Sequence, residues 1–594
     1  MWPSPPALAA VTDFGYVPHA VLGCYLLALI GIGVVGFLRS KATEEDYYLA
    51  GRRQGFIVTA LTCMATFFSS FALLGAAGVV YKDGLAYFLF ALNLPVSGGA
   101  VYILGSRISR LGRAKGYVTP ADMVADYYGS SVALRILVAL VGFLYVVPYV
   151  VMQIRAGGYL ADRMFPDVRP VTILGDRWDM FALGSTAMSI IMMLYIIVGG
   201  MRSVAWADVV QGTLLMLGMV LAGLATMAAL GGVGGYFREV SKLPTESLSL
   251  PGLSGAWPAW KLMTVCMFAS SASMIQPGQW MRYYAARSSN TLRRSALIFA
   301  ALLGCCYLFG IMFVGLGAKR LYPLHDDQGR YCFKVAANNP QTEKVKKWID
   351  PKTQKVDWKN LLPNPRVGQK PEEVDQVVIA VIQDERHGLP KLLGPIGVVV
   401  ACIILVAILA ASTSTADSNL HALSGVLTRD VYDRFVHPGA GQKERAWVGR
   451  GIIVAATLLA LWLVHKSKWD PYFQPLQLIA KLGFVAMGFS CQLLPITIDM
   501  LFVRRGTRPG AIAGMIAGIG VVFFFTPFPQ MMTGAAGAAG KVYSLFDELK
   551  RLFDIGFCGF VVNVAVFFLV SLFTKRPDPQ RVGDMARIMD GKKD

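Results

Sequence analysis

The chain has 594 residues, of which 55% are hydrophobic and only 16% are charged, and its mean hydropathy is +0.51. A water-soluble protein of this composition would expose large apolar patches, so the composition indicates a polytopic all-α membrane protein instead. The net charge of +19 would suggest nucleic-acid binding in a soluble protein. Here the basic residues lie mostly in short loops between apolar segments, where they report membrane topology.

About 13 apolar segments are long enough to cross a bilayer as helices, which takes about 20 residues each. They cover residues 18–38, 55–80, 85–105, 131–163, 178–199, 204–230, 259–284, 292–318, 392–423, 446–465, 473–501, 508–526 and 555–574. Loops after the odd-numbered segments are rich in Lys and Arg, as in SRISRLGRAKG after the third. This distribution predicts an N-terminus outside the cell and a C-terminus in the cytoplasm.

A long polar insert occupies residues 319–391, on the extracellular side by that orientation. Its second half, EEVDQVVIAVIQDERHGLP, has the apolar spacing of a helix and is expected on the membrane surface beside a gate. The chain shows no catalytic triad, phosphate loop or zinc-type spacing of His and Cys, so we expect no enzymatic activity. A channel is disfavoured because no pore loop is repeated.

The ninth apolar segment changes abruptly to polar residues in ILAASTSTADSNLHALSGVLTRDVY. On a helix, Ala411, Ser414, Thr415 and Ser418 share one face, and Asp417 borders it. Hydroxyls can bond back to their own helix, but a carboxylate at mid-membrane depth costs about 2.5–3.5 kcal/mol and usually marks an ion or proton path. Oxygen atoms without Cys or His suit a hard cation.

Two other stretches could supply further ligands opposite the polar face of residues 411–418. MATFFSSFALLGAAGVVYKDG, residues 64–84, predicts either a small-residue packing seam or a broken helix whose free carbonyls bind a cation. IIVGGMRSVAWADVVQG, residues 196–212, ends one span at two glycines and begins the next with Asp208 and Gln211. Asp208 either caps that helix or belongs to an ion site.

These stretches together resemble the sodium/solute symporter family. GGMRSVAWADVVQ resembles the family's span-six signature, ATFFSSFALLG its broken first core helix, and STSTADSNLHALSGVLTRDVY its eighth core helix, and DYYLAGR before the first core helix also fits. The resemblance implies a LeuT-type fold of two five-helix inverted repeats, with one extra span before them and two after them. It divides the chain into residues 1–54, a first repeat over 55–230, a second repeat over 231–501 that includes the insert, and residues 502–594.

The resemblance further implies Na⁺-driven import of a small solute across the plasma (inner) membrane. By position, the sodium ligands would be three backbone carbonyls and two hydroxyls, those of Ala65, Phe68, Ala411, Ser414 and Thr415. Some members bind a second cation, for which this chain offers Asp208, Asp417 and Ser418. Asp417 replaces a common hydroxyl there, so it either binds sodium or pairs with the basic residues that follow its span.

Candidate solute contacts lie on three spans and comprise Ser69, Ser70, Phe71, Tyr149, Gln153, Arg155, Gln276 and Gln279. Gln276-Pro277 predicts either a helix break that exposes amides or a simple kink. Arg155 could bind a carboxylate or reach the membrane interface. A small pocket with an arginine favours a monocarboxylate or an amino-acid-like solute, and the stretch TADSNLHALSGVLTRD most resembles the monocarboxylate, pantothenate and proline branches of the family. A sugar or polyol is the alternative.

A solute sensor built on a transporter core is a third candidate. We expect it least, because only about 20 residues follow the last span, too few for a signalling domain. The expected partners are the solute and membrane lipid, with no nucleic acid and no obligatory protein partner.

Overall fold

The computed structural model describes residues 14–39, 43–165, 168–173, 176–253, 255–321, 377–383, 388–469, 473, 479–526, 528–529 and 547–591. Within these ranges the chain is almost wholly helical. The exception is a short antiparallel ribbon of β1 (Val171–Ile173) and β2 (Asp176–Trp178).

The helices of the first half are α1 (Val17–Arg39), α2 (Glu44–Leu49), α3 (Phe56–Phe67), α4 (Ala77–Asp83), α5 (Leu85–Phe88), α6 (Asn93–Ala100), α7 (Ser106–Lys115), α8 (Pro120–Tyr127), α9 (Val132–Met164), α10 (Met180–Ala229), α11 (Gly232–Val240), α12 (Thr245–Leu248), α13 (Ala259–Thr264), α14 (Ser270–Ile275) and α15 (Pro277–Ala285). Those that follow are α16 (Ser289–Cys306), α17 (Val314–Leu321), α18 (Val377–Gln383), α19 (Leu389–Val426), α20 (Gln442–Trp469), α21 (Ile479–Ser490), α22 (Leu494–Ile498), α23 (Arg508–Phe525), α24 (Asp547–Leu552), α25 (Ile555–Leu572) and α26 (Pro579–Asp590). Wider π-helical turns extend several of them, at Phe71–Ala76, Val101–Gly105, Val265–Ala269, Tyr307–Phe313, Leu427–Val436 and Asp499–Val503.

In the described part of the chain, 10 helices are long and apolar enough to cross a membrane, and a bent pair makes a possible eleventh. The predicted number of 13 therefore stays a prediction. One difference arises because α10, with 50 residues, contains two predicted segments. At 1.5 Å per residue it would measure about 75 Å, against a hydrocarbon core of about 30 Å, so it is long enough for two crossings.

Central and peripheral spans differ in burial. In the most apolar window of α9, 72% of the residues are buried, against 22% for α1 and for α25. Helix α10 packs most extensively on α19, and both also contact α9. These three helices pack against one another, and the first and last spans, at the two ends of the chain, are much less buried than α9.

The predicted break within residues 64–84 is present. The span bends by 57° between helix α3 and the segment Phe71–Asp83. Phe68, the first residue after α3, has extended backbone (φ −93°, ψ 104°), and Ser69 is also outside helical structure. The break therefore falls at Phe68 and Ser69.

The part of the insert that the structure describes includes α18, which confirms a helix in the predicted stretch. Val377, Val378 and Ile382 are buried there. The helix contacts α4 and α17, so its apolar side packs onto the second half of the broken span. The remainder of the insert lies outside the described residues.

Gly200 breaks the helical backbone within α10. Its φ of 57° and ψ of −167° lie in a region that is essentially restricted to glycine. A Cβ atom at this position would lie 2.8 Å from Cδ2 of Tyr47. Gly200 therefore allows the chain to change direction between two spans while Tyr47 packs directly against the turn.

We expect Gly200→Ala to lower the thermal stability of the purified protein, because the backbone strain alone costs about 1–3 kcal/mol. The measurement is the unfolding midpoint followed by tryptophan fluorescence in detergent. Gly99→Ala is the matched control, since a Cβ at Gly99 would meet nothing within 4 Å. Equal midpoints for the two variants would contradict this account of Gly200.

Candidate ion-binding and solute-binding site

The last turn of α3 leaves a carbonyl without a helical partner, because the helix ends at Phe67. That carbonyl, of Ala65, accepts hydrogen bonds from two hydroxyls on α19. The distances are 3.1 Å from Ser414 Oγ and 2.7 Å from Thr415 Oγ1. Both hydroxyl residues are fully buried, so the break in one helix is closed by the polar face of another.

Four of the five predicted sodium ligands are thus connected, since Ser414 Oγ also lies 3.1 Å from the carbonyl oxygen of Ala411. The fifth, Phe68, lies at the break with a carbonyl outside the helical bonding pattern. All five groups are neutral oxygen donors. Two hydroxyls whose protons can rotate away and several carbonyl lone pairs suit a hard monovalent cation.

Side chains on α9 hold the break from the other side. Ser70 directs both its backbone N–H (3.2 Å) and its Oγ (2.7 Å) to Oε1 of Gln153. Ser69 Oγ lies 3.2 Å from the hydroxyl of Tyr149 and accepts the N–H of Phe71. The structure therefore brings these five predicted solute residues together at the break, where the serines and Gln153 mostly bond to one another.

A narrow cavity adjoins the break. It is lined by aromatic and small polar side chains, namely Phe67, Phe68, Phe71, Ala72, Phe90, Tyr149, Ser270, Ser273, Tyr307 and Met487. Of the predicted solute residues, Phe71 and Tyr149 line it. The aromatic members from distant spans carry no local signal in the sequence that would have indicated them.

Three other predicted solute residues contact protein groups away from this lining. Arg155 donates to the hydroxyl of Tyr159 at 3.0 and 3.1 Å and to Ser467 Oγ at 3.0 Å. Gln276 caps α15 by accepting the N–H of Gly278 at 2.6 Å. Gln279 Nε2 donates to the carbonyl of Cys63 at 2.8 Å. The Gln276-Pro277 dipeptide does break the helix, between α14 and α15.

The three residues predicted for a second cation separate into two groups. Asp208 Oδ2 lies 2.8 Å from Nη2 of Arg282, and the same nitrogen donates to Ser418 Oγ. Asp208 is therefore an ion-pair partner, not the cap of a new helix. The carboxylate oxygens of Asp417, fully buried, have no hydrogen-bond partner in the described part of the chain. Its pairing with basic residues at the end of the span is not observed.

Arg282 was not among the predicted site residues. In the sequence it belongs to RYYAARSSNTLRR, a run that resembles a basic loop between spans. In the structure α15 continues through Ala285, and Arg282 is 1% exposed. The helix break at Gln276 is the one signal that could have indicated a further helical turn inside the membrane.

Comparison with known proteins places this geometry in context. The family model described as the Sodium:solute symporter family matches residues 47–342 and 360–518. The chain belongs to this family. Similar relatives include the sodium/proline symporter of Escherichia coli (strain K12), 26% identical over 86% of this chain and 88% of the relative. The sodium/proline symporter of Haemophilus influenzae is 25% identical over 95% of this chain and 96% of the relative.

A solved structure supports the fold. The outward-open, substrate-bound Na⁺-coupled sialic acid symporter superposes with a TM-score of 0.67 and 18% identity, over 95% of this chain and 100% of that chain. The expected LeuT-type fold is confirmed. The symporter is thus a multi-pass membrane protein that couples transport of a small solute to sodium, in a family of transporters and not of enzymes.

We expect Gln153→Leu to raise the KM for solute and to lower thermal stability, because it leaves two buried donors of Ser70 unpaired, each costing about 1–3 kcal/mol. Gln492→Leu is the control. Gln492 is also a buried amide, but it bonds to the carbonyl of Gly488, one turn earlier on its own span, and to that of Gly556 on α25. The control should lose stability and keep its KM. The same change in KM for both variants would show that Gln153 has no particular role at the break.

Proposed function

We propose that this symporter imports a small amino-acid-like zwitterion or monocarboxylate, and that sodium binds between the broken span and α19. The observation that carries the proposal is the bonding of Ser414 and Thr415 to the carbonyl of Ala65. These contacts join helices whose residues are about 350 positions apart (349 and 350). Sodium would displace these hydrogen bonds, bind the hydroxyl and carbonyl oxygens with the hydroxyl protons turned away, and bridge the same two helices.

The cavity supports a small solute with an apolar body. None of its lining residues is charged, and its polar groups are the hydroxyls of Tyr149, Ser270, Ser273 and Tyr307. Phe71 and Ala72, at the start of the second half of the broken span, also line it. The partial positive charge at a helix start favours a carboxylate at this point. The relatives named as proline symporters support the same class of solute.

A sugar or polyol fits this cavity less well. Such a solute presents hydroxyls in all directions, and each one that loses water needs a partner inside the protein. Aromatic and apolar side chains dominate the lining, with four hydroxyls and no amide or carboxylate. The sialic acid symporter shares the fold with this chain at 18% identity, which supports the architecture alone.

Coupling follows from the position of the ion. A cation that binds both α3 and α19 stabilises the state in which the two helices lie together, and solute binding to that state is favoured in turn. Inward movement of one sodium is also driven by the membrane potential, by about 2.3 kcal/mol per 100 mV.

Ion pairs connect several helices at the end of the molecule that carries the basic loops. Arg135 bridges Asp122 (2.8 Å) and Asp430 (2.6 Å), and Arg429 pairs with Glu44 at 2.9 Å. Burial alone would raise the pKa of Asp122, but Arg429, Arg135 and the N–H of Val118 hold it below its usual value. Asp122 therefore stays charged at neutral pH, and its pairs weaken only as the pH falls through its lowered pKa. We propose that opening toward the cytoplasm separates these pairs.

Removing the two hydroxyls should weaken sodium activation of transport. We expect Ser414→Ala with Thr415→Val to raise the sodium concentration for half-maximal uptake by at least 10-fold, since each bond to a charged group is worth about 1.5–3 kcal/mol. The measurement is uptake in proteoliposomes at varied sodium. Ser412→Ala is the control, because within the described ranges Ser412 Oγ bonds only to the carbonyl of Ile408 on its own helix. Unchanged sodium activation in the double variant would overturn the assigned ion site.

Uptake of radiolabelled solutes under an imposed sodium gradient tests the substrate class. The panel comprises proline, pyruvate, lactate, acetate, pantothenate and glucose. We expect sodium-dependent uptake of proline or of one of the carboxylates, because the cavity is small and mainly apolar. Uptake of glucose alone would favour the sugar alternative.

A further inference from the structure

Arg282 forms the centre of a buried polar cluster next to the proposed ion site. Its guanidinium donates to Thr62 Oγ1 (2.9 Å), to the carbonyl of Gly278 (2.9 Å), to Asp208 Oδ2 (2.8 Å) and to Ser418 Oγ. Arg282 is 1% exposed and Asp208 is fully buried. One side chain of α15 thereby joins α3, α10 and α19 in the interior of the membrane domain.

This cluster lies where the sequence predicts a second cation. Two of the three groups expected to bind that cation, Asp208 and Ser418, accept hydrogen bonds from the guanidinium instead. A sodium ion at the same oxygens would lie within a few ångströms of a fixed positive charge. At 4 Å two unit charges repel by about 4 kcal/mol at an effective dielectric constant of 20, which is enough to exclude an ion from a site.

The proposed sodium site differs in charge. Its groups are the carbonyls of Ala65 and Ala411 and the hydroxyls of Ser414 and Thr415, all neutral, and Ser418 lies one helical turn after Ser414. A neutral oxygen site gains most from a mobile cation, whereas a carboxylate that already has a guanidinium partner gains little.

We propose that the guanidinium of Arg282 takes the place of a second sodium, so that each chain binds one sodium ion per transport cycle. The inference rests on the proposed function, because it assumes that sodium binds at Ala65, Ser414 and Thr415. Arg282 supplies the positive charge that neutralises Asp208 and holds α3, α10 and α19 together. Since it is part of the chain, it is not transported.

The stoichiometry of ²²Na⁺ binding to the purified full-length protein tests this proposal without a solute. We expect one sodium per wild-type chain. A value of two would overturn the role of Arg282 and would indicate that Asp417, whose carboxylate has no hydrogen-bond partner among the described residues, contributes to a second site. A value of zero would instead contradict the proposed function, so the two failures are distinguishable.

Variants test whether Arg282 sets the number of sodium ions that bind. We expect Arg282→Gln to bind two sodium ions, because Asp208 is then free to bind one, and Asp208→Asn with Arg282→Gln to return to one. Arg282→Lys should bind one ion because it keeps the charge. Arg155→Gln, which removes another buried arginine with neutral partners, should also bind one. A folded Arg282→Gln protein that still binds one ion would overturn the proposal. If that variant does not fold, the wild-type value decides.

Discussion

A carbonyl that a membrane helix leaves without a partner must be satisfied inside the protein, and this constraint organises the symporter. Helix α3 ends at Phe67, and the carbonyl of Ala65 is bonded by Ser414 and Thr415 of α19. Any movement of α3 relative to α19 must break these bonds or substitute a cation for them. We propose that sodium dependence follows from the same contact that makes the broken helix possible in a bilayer.

The interior contains two polar clusters with opposite electrostatic properties. Around Ala65 the bonded groups are neutral oxygens, where we propose that a diffusible sodium ion supplies the positive charge. Around Asp208 the positive charge belongs to Arg282. The two clusters are close together, because Ser418 Oγ bonds to the carbonyl of Ser414. Under our proposal, Arg282 supplies a positive charge that a second bound sodium ion would otherwise supply. Gln153 on α9 supports the break independently of either cluster.

Features that depend on local chemistry could be predicted from the sequence. A run of hydroxyls within an apolar segment and a polar interruption near residue 68 indicated the two helices that meet, and Gln276-Pro277 indicated a second break. Partners that depend on tertiary packing could not be predicted. Arg282 resembles a loop base in the sequence, and Arg155 bonds to Ser467, which is 312 residues away. The number of spans is also ambiguous, because Gly200 interrupts a helix without any loop residues.

Hydrogen exchange of the backbone amides tests the central claim most directly. The purified protein is labelled in sodium and in potassium at equal ionic strength, and peptides covering residues 65–72 are compared with those covering 204–212. Sodium bound between α3 and α19 predicts slower exchange at 65–72 in sodium than in potassium, with little difference at 204–212. Equal exchange at 65–72 in both salts, or protection confined to the region around Asp208, would contradict the assigned sodium site.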